Sequence, residues 1–163
     1  MKILKRIGLT LLGLAVILQF IRPAKNIADQ PSKNDIATAF QIPEDVRAIV
    51  QTSCYDCHSN TTRYPWYSEI QPVGWWLGKH VAQGKRELNF SEFAGYRLRR
   101  QYMKFEKIGD QVSEGEMPLP SYLIIHTEAR LSPEAKERII SWTNAMRDTM
   151  RLRYPADSLE GGR

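Results

Sequence analysis

The chain has 163 residues, 42% of them hydrophobic, and a formal net charge of +5. That length fits one domain of about 110–130 residues plus extensions, with enough apolar bulk for a core. Basic residues are scattered from Lys2 to Arg153 rather than massed in a block, which points to solvated helix faces and away from a nucleic-acid partner.

The amino terminus carries Lys2, Lys5 and Arg6, then an apolar run from Ile7 to Ile21, closed by Arg22-Pro23. A basic flank followed by an apolar core is the pattern of an export signal. No small-x-small cleavage site follows, so residues 1–23 are expected to be an uncleaved signal anchor rather than a removed peptide. Arg6 and Arg22 can snorkel to the two interfaces. The basic end then stays in the cytoplasm and the rest is exported, to the periplasmic side of the inner membrane or the outer face of the cytoplasmic membrane.

Residues 24–42 are polar and are expected to be a tether, able to reach on the order of 25 Å as a flexible coil. Residues 43–154 form the expected domain. Pro43, Glu44 and Asp45 suit a helix start, and Val46, Ile49 and Val50 give it an apolar stripe. That helix leads into Cys54. Residues 59–71 are loop-like. Pro72 opens a second helix carrying Trp76, Leu77, His80 and Val81. Asn89 or Ser91 can cap a third, from about Glu92 to Ile108. Met117-Pro118-Leu119-Pro120 is irregular, because each proline disfavours helical geometry in the residue before it. Tyr122 to His126 is a candidate short helical turn. Ser132-Pro133-Glu134 starts a last helix that runs to about Arg153, with Ile139, Trp142, Met146 and Met150 along one face. Residues 155–163 are expected to be a disordered tail. No hairpin signal occurs, so the domain is expected to be all-α. Its first and last helices are expected to meet through Val46/Ile49/Val50 and Ile139/Trp142/Met146. With the first leading straight into Cys54-Tyr55-Asp56-Cys57-His58, the arrangement resembles the crossed terminal helices of small monohaem cytochromes c, and a generic helical bundle using the same stripes is the alternative.

Cys54-Tyr55-Asp56-Cys57-His58 uses both cysteines of the chain in one C-x-x-C-H unit, the attachment signature of c-type haem. Two thiols three apart on one helical turn can each add to a vinyl group of one porphyrin, and the next histidine is then held under the iron. The expected cofactor is one covalent haem c, held through Cys54 and Cys57 with His58 on the metal. The alternatives are a thiol–disulfide oxidoreductase pair and a zinc site. The first wants a preceding strand, and the second wants four ligands, with only His80 and His126 left to help. A disulfide between Cys54 and Cys57 would close too short a loop to stabilise much.

Met117 is the leading candidate for the sixth iron ligand, since a thioether suits low-spin haem and the proline-stiffened loop can present it. His80, on the apolar face of the second helix, is the alternative, and His126 is the weakest of the three. Met103, Met146 and Met150 are assigned to packing. Tyr64, Trp66, Tyr67, Trp75 and Trp76 follow the motif closely and are candidates to wall a porphyrin, with ordinary core packing as the other role.

The chain resembles the bacterial haem-binding domain proteins, which carry one C-x-x-C-H in a cytochrome-like domain. The resemblance rests on Cys54 to Asn60, Tyr64-Pro65-Trp66-Tyr67, Pro72, Trp75-Trp76, His80, Leu88-Asn89-Phe90-Ser91, Met117-Pro118-Leu119, Tyr122, His126, Leu131-Ser132 and Trp142. It covers roughly residues 35–150 and implies covalent haem, His58 as axial ligand and an exported, anchored domain. The expected function is one-electron transfer with an unidentified redox partner protein. A haem-based sensor or binding module with an open or labile sixth site is the second hypothesis. An enzyme, either a small peroxidase or a thiol oxidoreductase, is the third, because no general-acid constellation is evident; the chain is therefore expected not to be an enzyme.

Overall fold

The structure is a computed structural model and describes residues 2–160. Among these residues the secondary structure is helical, with no strand and one isolated antiparallel bridge between Ile27 and Thr61. The α-helices are α1 (Lys2–Leu18), α2 (Glu44–Ser53), α3 (Tyr55–His58), α4 (Val73–Glu87), α5 (Leu98–Ser113), α6 (Pro120–Leu123), α7 (Pro133–Arg153) and α8 (Ala156–Glu160). The all-α expectation therefore holds.

α7 starts where its sequence says it should. The Ser132 side chain accepts from the Ala135 amide and Pro133 follows at the first position, a cap worth about 1 kcal/mol. α5 and α7 pack along each other, and α2 packs on α7 as expected. Val46, Val50, Phe105, Ile139 and Trp142 share one buried cluster. Its centre is aromatic: Phe105 meets Phe93 at 4.9 Å and Trp142 edge-on at 5.5 Å between ring centroids.

Three stretches differ from expectation. The third helix is broken. Asn89 caps a 3-10 turn over Phe90–Gly95, the chain is extended at Tyr96, and α5 begins only at Leu98. Buried Gln101 supports the break by donating to the carbonyls of Phe93, Ala94 and Tyr96, which helix continuation no longer satisfies in full. The tail is also structured: α8 places Leu159 in the core at 1% exposure, packed with α5. Residues 161–163 lie outside the described range.

The third difference is the segment expected to be a tether. Residues 19–27 are strapped along the domain. Gln19 and Gln71 bond each other twice, side chain to backbone, and the Trp75 indole donates to Ile21 O at 2.7 Å. Arg22 and Lys25 both pair with Glu69. Asn26 binds the Tyr64 hydroxyl, Ser59 O and Thr62. Further on, Ile36 is fully buried in the core. Polar composition here reflects a chain bound by side-chain hydrogen bonds, not a free coil.

Candidate haem site

α2 ends at Cys54, whose backbone leaves helical geometry (φ −125°, ψ −35°), and α3 restarts at once. The Cys57 and His58 amides both return to Cys54 O, at 3.2 and 3.0 Å. This one turn puts both thiols and the imidazole on the wall of a cavity of about 210 Å³, with His80, Met117 and Tyr122 among its other lining residues. A second cavity of about 240 Å³ shares Cys54, His58, Gln83, Glu87 and Met117 with the first, so the two form one cleft between α3, α4, α5 and the Met117 loop. A larger, open hollow of about 590 Å³ lies along the strap. It is lined by neither thiol nor by His58, and the chemistry of the motif is elsewhere.

His58 is aimed by α4. Its Nδ1 lies 3.0 Å from both Gly84 O and Leu88 O. Two carbonyl neighbours require Nδ1 to carry the proton, which leaves Nε2 with its lone pair free. Burial also depresses the imidazole's basicity, against the pull of those carbonyls. A neutral ring with Nδ1–H tied to backbone is the form that ligates a metal.

Gly84 allows this contact. A β-carbon there would sit 2.7 Å from Cys57 O and 3.2 Å from Cys57 Cβ, so only a glycine lets α4 come this near the motif. Behind the motif, buried Asp56 accepts from the Arg63 amide and guanidinium at 3.1 to 3.2 Å and from the Tyr122 hydroxyl at 2.8 Å. Neither Gly84 nor the pairing of Asp56 with Tyr122 is legible in the sequence. Gly84 is one glycine of a helical run, and 66 residues separate the other two.

Both cysteines are free thiols. Burial pushes Cys54 up to about 12 and Cys57 up to about 11. A reactive dithiol needs its thiol lowered by helix ends or cations, and burial acts here in the opposite direction. Among the described residues no three His, Cys, Asp or Glu side chains are grouped to hold a bare metal ion. The cleft instead offers two thiols, an imidazole nitrogen and a thioether.

The Met117 loop is clamped to the end of α5, because the Glu116 and Met117 amides both donate to Gln111 O, at 3.0 and 3.1 Å. Met117 faces both parts of the cleft, whereas His80 faces only one. His80 Nδ1 donates to Trp76 O at 2.8 Å. His126 is not brought to the cleft. Its Nε2 accepts from the Tyr67 hydroxyl at 2.6 Å and its Nδ1 donates to Glu128 at 3.1 Å, so both nitrogens are committed.

The aromatic run is not a porphyrin wall: Tyr64, Trp66, Tyr67, Trp75 and Trp76 line neither part of the cleft. Met103 is exposed rather than packed, while Met150 is buried as expected. Charged side chains on the cleft include Glu87 of α4 and Lys104 and Lys107 of α5.

A family model described as a haem-binding domain matches residues 13–145. The match begins inside α1 and ends inside α7, so it includes the strap, the thiols, His58 and Met117. No curated protein and no solved structure matches the chain.

Proposed function

The chain belongs to the haem-binding domain family, and we propose that it holds one haem c covalently and carries single electrons at a membrane surface. The observation that supports this most is the placement of Cys54, Cys57, His58 and Met117 on the walls of one cleft, with His58 Nδ1 tied to α4. Bound there, haem supplies a one-electron couple on its iron.

In this reading the residues divide the work. Cys54 and Cys57 would hold the haem, each adding its S–H across a vinyl group, and His58 Nε2 would bind its iron. Met117, on a loop that α5 fixes at Gln111, would offer its thioether to the same metal. Gly84 O and Leu88 O hold the imidazole ring in place for that role. The chain acts as a carrier for a redox partner protein rather than as an enzyme. α1, whose apolar side chains are all exposed, anchors the domain on the exported face, where covalent haem attachment takes place. No described helix is long and apolar enough to cross a membrane by itself. α1 has 17 residues, roughly 26 Å at 1.5 Å per residue, against about 30 Å of hydrocarbon.

The test is acid–acetone extraction of protein made with the cytochrome c maturation machinery. Haem should stay on the polypeptide under denaturation, and Cys54→Ala together with Cys57→Ala should release it to the solvent. Haem that extracts fully from the unaltered chain would overturn covalent attachment.

A further inference from the structure

The domain exposes an apolar face where α1 leaves it. Phe20 and Ile21 sit on the strap, Trp66 on the 3-10 turn Trp66–Glu69, Ile70 just after that turn, and Val73 and Trp76 on the first turns of α4. Trp66 is 77% exposed and Trp76 46%. The strap welds these pieces together. Gln71, between Ile70 and Val73, bonds Gln19 in both directions, and Trp75 bonds Ile21 O. The face is therefore not free to move away from the end of α1. Arg22 and Lys25 lie beside it, paired with Glu69 and still half exposed.

We infer that this face rests in the interface of the bilayer that holds α1, with Trp66 and Trp76 at the headgroup level. The inference depends on α1 being membrane-inserted. Three observations select lipid as the occupant. The patch is continuous with the apolar helix through a rigid joint rather than a linker. Its composition, two exposed indoles and aliphatics flanked by Arg22 and Lys25, is that of a membrane interface belt. And the apolar part of α1, Ile7 to Leu18, spans only about 18 Å at 1.5 Å per residue, well short of the hydrocarbon thickness, a mismatch relieved by drawing the adjoining residues into the boundary. The consequence reaches the haem site. The Trp76 ring lies against His80, 4.1 Å between centroids and tilted by 43°, and His80 lines the cleft, so one edge of the cleft is held one helical turn from the lipid surface.

The experiment uses the full holo-chain in phosphatidylcholine vesicles, with part of the lipid carrying a photoactivatable diazirine high on the acyl chain. Flotation with the vesicles reads the anchor, and the residues that take up the photolabel, located by mass spectrometry, read the face. The chain should float, and label should fall on Trp66, Ile70 and Trp76 as well as on α1. A chain that floats with label confined to α1 overturns the inference and leaves the anchor standing; the face would then be open to a protein. A chain that does not float overturns the anchor and the inference with it.

Discussion

A β-carbon on Gly84 would lie 2.7 Å from the carbonyl oxygen of Cys57. α4 and the C-x-x-C-H turn are thus in backbone contact, and that contact delivers the two carbonyls that hold His58. Gly84→Ala must push the helices apart. Overpacking of this kind costs about 1–3 kcal/mol, offset only slightly by alanine's better helix propensity. Urea unfolding should show a midpoint shift of that size, with a perturbed His58 environment in the folded protein. An unchanged midpoint would mean that the two backbones are not in contact.

Met117 and His80 are separated by one substitution each. Met117→Ala should abolish the sulfur-to-iron charge-transfer band of the oxidised protein, leave haem covalently attached, and let carbon monoxide bind rapidly on reduction. His80→Ala should leave that band in place. A band that persists without Met117 would move the sixth ligand elsewhere.

Asp56 is a buried carboxylate whose partners are Arg63 and Tyr122. Tyr122→Phe removes one hydrogen bond to it, at a cost of about 1–3 kcal/mol for a bond to a charged group. Asp56→Ala should cost more, because it leaves the Tyr122 hydroxyl and Arg63 without their acceptor. Thermal melts of the two variants and their double mutant test the ordering, and a strictly additive double mutant would show that the pair is uncoupled.

The carboxyl end can be tested by truncation after Tyr154 and by Leu159→Ala. Removing a fully buried leucine side chain costs about 2–5 kcal/mol. Both variants should unfold at lower urea by a similar amount, whereas a frayed tail would give no shift.

The strap is acid-sensitive in a definite direction. The Lys25 ammonium bonded to Glu69 holds its carboxyl below the usual range, and hydrogen bonds from Asn34, then Asn60, do the same for Glu92. A depressed folded value means that each group's contribution is present above the unfolded value of about 4.3 and is lost as pH falls through the folded one. Amide exchange at Asn26 and Ala28, which bond Tyr64 and Thr61, should accelerate as pH drops below about 4, after correction for intrinsic rates. Glu69→Gln should weaken that acid dependence for the strap.

Local chemistry is written in local sequence. The C-x-x-C-H unit, the Ser132-Pro133 helix start, the apolar stripes of α2 and α7 and the irregular Met117 loop all depend on residues within a few positions of one another, so the sequence by itself determined the candidate haem donors, the helical class and the packing of α2 on α7. The tertiary structure decided what depends on distant partners. A polar segment becomes a strap only because Glu69, Gln71 and Trp75 meet it, and a polar tail becomes a helix only because α5 leaves a place for Leu159. Of the aromatic run after the motif, Tyr64 and Trp75 are taken up by the strap and Tyr67 by His126, all away from the cleft. The aim of His58 is set by the Gly84 and Leu88 carbonyls, 26 and 30 residues away, and no periodicity along the chain encodes a backbone contact between two helices.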